Sequence, residues 1–124
     1  TLMSWFSDAP QTDLDNASAP QESLSAVAEF LDQSLATMPT LENLTALAKC
    51  SEGHLIRSFH RQYGLTPHAY LLNRRIQKSR ELLQQGMELV DVAQQLAFSD
   101  QAHFQRTFKK LTATTPGQYQ NNRS

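Results

Sequence analysis

Two arginines stand at the same place in two similar strings, Leu55-x-Arg57-x-Phe59 and Phe104-x-Arg106-x-Phe108. On a helix, a step of two residues turns ~200°, so each Arg faces outward wherever its Phe faces a core. The other outward positions would be Gly53, Ile56 and His60 in the first string and Gln101, Ala102 and Gln105 in the second. This is a set of groups that can read base-pair edges. A forked guanidinium matches guanine O6 and N7, a Gln amide matches adenine N6 and N7, and Ile or Ala can pack on a thymine methyl. Arg61, Arg74, Arg75, Lys78, Lys109 and Lys110 add cations within reach of phosphates. A surface Arg is most often only a solvated charge, and recurrence at one register is what argues for a role here. Glu52 suits a helix N-terminus better than cytosine recognition. Arg75 lies beside an apolar stripe and fits a structural hydrogen bond as well as a phosphate contact.

The strings belong to a longer internal repeat. Thr66-Pro67-x-x-Tyr70 recurs as Thr115-Pro116-x-x-Tyr119, again offset by 49 residues. Upstream the offset is 48, pairing Leu44 with Val92, Thr45 with Ala93 and Ser51 with Ser99, so the second break is one residue longer. Two units fall below the three or so that a stacked solenoid needs. A duplicated helix-turn-helix, whose second helix enters the major groove, accounts for the pattern better.

The elements that must position these residues are helical throughout, and no segment alternates convincingly with period two. Leu24, Val27 or Ala28, Leu31, Leu35 and Met38 form a stripe that predicts a helix over about Gln21 to Thr37, stopped by Pro39-Thr40. Thr40 caps a second helix with Glu42 in its first turn and Leu41, Leu44, Leu47 and Ala48 on its buried face. Ser51 caps a third, which ends before Gly64. Thr66-Pro67 opens a long helix striped by Ala69, Leu72, Ile76, Ser79 and Leu83, closed by Gly86. Leu89, Val92, Ala93 and Leu96 mark a further helix, Phe104 and Phe108 the next, and Thr115-Pro116 starts a short last one. The connecting helix, 67–85, would be ~28 Å long at ~1.5 Å per residue. That approaches the ~34 Å of one turn of duplex, so the two outward faces would suit successive major grooves.

Charge is distributed unevenly. All 11 Lys and Arg of the 124 residues lie at or after Lys49. Thr1 to Pro39 carries −6, whereas Thr40 to Ser124 sets 11 basic against 6 acidic side chains, a net +5. An acidic tail on a body that attracts polyanions is the expectation. Ser7 to Gln21, rich in Pro, Asp and small polar residues, reads as a linker. The absence of an initiating Met reads as a fragment or processed chain, without a signal peptide. No apolar run approaches the ~20 residues of a membrane span, and Cys50 alone offers no disulfide, so a cytoplasmic protein without a membrane partner is expected. Cys50, His54, His60, His68 and His103 lack metal-ligand spacing, and neither a catalytic triad nor a phosphate-binding Gly loop is present. The expectation is therefore no metal, no cofactor and no enzyme.

The anchors taken in order resemble the AraC/XylS family of bacterial transcription regulators. They run Ser51-x-x-x-Leu55-x-Arg57-x-Phe59, Gly64-x-Thr66-Pro67-x-x-Tyr70, Arg75-Ile76, Leu82-Leu83, Val92-Ala93, Phe98-Ser99-Asp100, Phe104-x-x-x-Phe108-Lys109-Lys110 and Thr115-Pro116-x-x-Tyr119. The resemblance covers about Leu41 to Tyr119. It implies an all-α, homeodomain-like fold of about seven helices, with helix-turn-helix subdomains at 21–66 and 87–124 bridged by helix 67–85, and 1–20 a linker or remnant of an upstream domain. It further implies promoter recognition, action on RNA polymerase recruitment, and an effector-binding or dimerisation domain upstream. The turn position commonly held by Gly is Lys49 in the first unit and Ala97 in the second, and a later Gly is Ala113. The alternative function is a helical protein-interaction module whose basic face binds an acidic partner.

Overall fold

The computed structural model describes residues 21–121, so the expected linker over 1–20 lies outside the described residues. These described residues form seven helices in order: α1 Gln21–Asp32, α2 Leu41–Ala48, α3 Glu52–Tyr63, α4 Pro67–Gln84, α5 Leu89–Gln95, α6 Gln101–Thr112 and α7 Pro116–Asn121. Among the described residues there is no strand. They divide into two compact units, one of residues 21–34 and 39–71, the other of 35–38 and 72–121.

In the first unit α1 packs on α2 and α3. Leu24, Val27 and Leu31 meet a core that includes Leu41, Leu44, Leu55 and Phe59, all buried. The start of α4 closes this core with Tyr70, whose ring stands edge-on to Phe59 at 5.4 Å and whose hydroxyl donates to Asp32 Oδ1 at 3.0 Å. The second unit repeats the plan around Ile76, Leu83, Val92, Leu96, Phe98, Phe104 and Phe108. There Tyr119 packs on Phe108 at 5.7 Å and its hydroxyl accepts from Gln84 Nε2 at 2.5 Å. Gln120 Nε2 donates to the carbonyls of Leu83 and Met87, tying α7 to the end of α4 and to the turn that follows it.

Helix ends follow local chemistry. Thr40 and Asn43 form a reciprocal capping box, Asn43 N–H to Thr40 Oγ1 at 3.1 Å and Thr40 N–H to Asn43 Oδ1 at 3.0 Å. Ser51 caps α3 and Asp100 caps α6, accepting the backbone N–H of His54 and His103 respectively. Helix α1 stops at Asp32, five residues before the expected end. Ser34 Oγ donates to the carbonyl of Phe30 and ends the helix; Leu35 then turns into the core of the second unit. Met38, expected on the buried stripe, is consequently 71% exposed. Leu47 is also exposed, because α2 buries Leu41, Leu44 and Ala48, and position 47 sits ~90° from the centre of that face.

Among the described residues, three other than glycine hold left-handed backbone: Lys49 at φ 58°, Ala97 at φ 62° and Ala113 at φ 68°. A Cβ in this region costs ~1–2 kcal/mol. Part of that returns when Gly is substituted, less the extra freedom Gly gains in the unfolded chain. Ala113→Gly and Ala97→Gly are therefore expected to raise stability by about 0.5–1 kcal/mol each, read as a higher urea midpoint at unchanged m-value.

Candidate nucleic-acid interface

Each recognition-helix candidate is built on a short, capped helix whose inner face is apolar. In α3, Leu55, Ser58 and Phe59 are buried, and in α6, Phe104 and Phe108 are buried. The remaining faces carry the polar groups. Arg57, His60 and Arg61 are exposed on α3, with Gly53 and Ile56 half-buried between them. Ile56, Arg57, His60, Arg61 and Thr66 line an open concavity of about 420 Å³. On α6, Ala102, Arg106, Lys109 and Lys110 are exposed, and Gln101 and Gln105 are half-buried. Both outward sets thus lie where their register against Phe59 and Phe108 places them. The basic residues of the last turns, His60 and Arg61 on α3 and Lys109 and Lys110 on α6, also complement the helix dipoles.

The cations of α4 behave differently. Arg74 donates to Gln77 Oε1 at 2.9 Å, and Lys78 pairs with Glu81 at 3.2 Å, both contacts along the surface of the helix. Exposed contacts of this kind contribute little to stability. Arg75, counted among the phosphate candidates, does not belong there. It is 5% exposed and donates through Nε to the carbonyl of Leu35 at 3.2 Å and through a terminal nitrogen to that of Thr37 at 2.5 Å. Burial lowers its guanidinium to about 10, so it remains charged at neutral pH. It holds residues 35–38 against α4 within the second unit.

The clasps on Tyr70 and Tyr119 escape sequence reasoning. The repeat marks both tyrosines but not their partners Asp32 and Gln84, 38 and 35 residues away. Arg80 also lies 5.6 Å from the centre of the Tyr119 ring, a cation–π contact that fastens α7 to α4. Among the described residues no cluster of His, Cys, Asp and Glu could hold a metal, and no helix is long and apolar enough to cross a membrane.

The family model described as a helix-turn-helix domain matches residues 44–122. A probable AraC family transcriptional regulator from Rhodopseudomonas palustris superposes with a TM-score of 0.73 at 25% identity, covering 81% of this chain and 95% of that one. The chain belongs to the AraC-type helix-turn-helix family. Its sequence is also similar to that of YbfI, an HTH-type transcriptional regulator of Bacillus subtilis (strain 168), at 39% identity over 102 residues, 82% of this chain and 36% of the relative. The chain spans about a third of the length of the curated relatives it matches. The DNA-binding domain of AdpA, solved in complex with a target DNA, shares the AraC-type fold with a TM-score of 0.74 at 22% identity, over 80% of this chain and 90% of that one. The AraC-type family is one of transcription-regulator domains and not an enzyme family.

Proposed function

We propose that this AraC-type domain recognises a promoter duplex by placing α3 and α6 in successive major grooves. The observation that carries this is the twinned register: an exposed Arg two residues before a buried Phe, on a side-chain-capped helix, in both copies of the repeat. Arg57 and Arg106 are the guanine readers, Gln101 and Gln105 address adenine, and Ile56 and Ala102 contact thymine methyls. Gly53 admits close approach of the backbone, and His60 supplies a further donor. Arg61, Arg74, Lys78, Lys109 and Lys110 bind phosphates and set the docking pose without reading sequence.

The net +5 from Thr40 onward supports the same reading, because it supplies the sequence-independent part of the affinity. The domain acts as part of a longer cytoplasmic regulator, with an upstream effector-binding or dimerisation domain and RNA polymerase as the partner that converts DNA occupancy into activation. Selection of duplexes from a randomised pool tests the core of the proposal. Two short enriched boxes about one helical turn apart are expected. Recovery of unenriched pool sequence would remove the specific-recognition claim.

A further inference from the structure

His103 and His54 occupy the same place in the repeat, 49 residues apart, as do Arg106 with Arg57 and Lys110 with Arg61. On each helix the three positions i, i+3 and i+7 fall within a ~60° sector, forming one ridge along the edge of the outward face. A His-x-x-Arg-x-x-x-Arg/Lys ridge is therefore duplicated whole. In α6 the ring is held in place: it stands edge-on to Phe98 at 5.3 Å and 74°, and its Nδ1 lies 3.3 Å from Ser99 Oγ. The nearest carboxylate along the chain, Asp100, accepts the backbone N–H of His103 at 2.7 Å.

We infer that His103 is a phosphate-binding residue of the DNA interface, donating from Nε2. The inference rests on the DNA reading above. In this assignment the Ser99 hydroxyl is the donor to Nδ1, which puts the proton of the neutral imidazole on Nε2 and makes that nitrogen the donor to a ligand. A fixed donor on the same ridge as Arg106 and Lys110 follows one strand of the duplex and sets the pose of α6. It contacts a phosphate, so it strengthens binding to any sequence.

The amide nitrogen of Gln can take the place of Nε2, that of Asn the place of Nδ1, while Phe keeps the ring and loses both nitrogens. His103→Phe and His103→Asn should weaken binding roughly five- to tenfold, equally on the selected duplex and on random duplex, with His103→Gln within about twofold of the parent. Fluorescence anisotropy on both duplexes measures this, with circular dichroism confirming an unchanged helical signal. Long-range ¹⁵N–¹H spectra of the complex should place the imidazole proton on Nε2. Parental affinity in His103→Phe while Arg106→Ala binds weakly would overturn the inference and leave the DNA reading standing. So would a loss confined to the selected sequence, or a proton on Nδ1. Failure of the parent chain to bind any duplex would instead overturn both.

Discussion

Phe104→Ala is expected to cost about 3–5 kcal/mol and to leave the second unit largely unfolded at 37 °C. The ring is fully buried and touches Phe98 and Phe108 at centroid distances of 5.2 and 5.8 Å. Removing it loses both transfer free energy and packing, in a domain whose total stability is of order 5–15 kcal/mol. Phe59→Ala should do comparable damage to the first unit, where Tyr63 and Tyr70 lie against its ring. The repeat supplies the control, because the position of Phe104 is held in the first unit by Leu55, equally buried. Phe104→Leu is therefore expected to cost less than half as much as Phe104→Ala. Urea unfolding followed by circular dichroism compares the three variants, and equal midpoints for Phe104→Ala and the parent would contradict the packing described.

Arg57→Ala and Arg106→Ala should instead leave stability nearly untouched and weaken recognition. Both side chains are exposed, so loss of fold is not expected. Each loss of a bidentate guanine contact costs roughly 1–3 kcal/mol of specific binding, about 5- to 150-fold. The two losses should map to different boxes of the selected site, Arg57→Ala blurring one and Arg106→Ala the other. Unchanged sequence preferences in both variants would mean that these arginines touch phosphate or solvent, and reading would pass to Gln101, Gln105 and His60. Arg75→Ala provides the opposite phenotype. It leaves the carbonyls of Leu35 and Thr37 without their donor and lowers stability before it alters any base preference.

The contrast between Arg75 and Arg106 shows what is legible in the sequence. A position two residues from a core Phe within a short helix is fixed by helical geometry alone, and both outward sets are found where that geometry puts them. Capping by Thr40 and Ser51 is equally local, as is the left-handed turn at Lys49, Ala97 and Ala113, where the family places Gly. What the pattern cannot carry is contact across many residues. The stripe through Leu35 and Met38 keeps helical spacing, yet α1 ends at Asp32 because Ser34 turns back onto the carbonyl of Phe30 and Leu35 serves a different core. The sequence leaves Arg75 open between a structural hydrogen bond and a phosphate contact, because the carbonyls of residues 35 and 37 that decide it arrive from 40 and 38 residues away. The partners of Tyr70 and Tyr119 are hidden for the same reason.

The salt dependence of binding to duplex DNA tests the central claim most directly. If exposed cations such as Arg61, Lys109 and Lys110 neutralise phosphates, each contributes about 0.9 to the slope of log affinity against log salt. A steep negative slope is expected, on the order of several units, together with tight binding at low salt and a shared electrostatic part on selected and random duplexes. A slope near zero, or no duplex binding even at low salt, would contradict the account and favour a helical interaction module whose basic face meets an acidic protein.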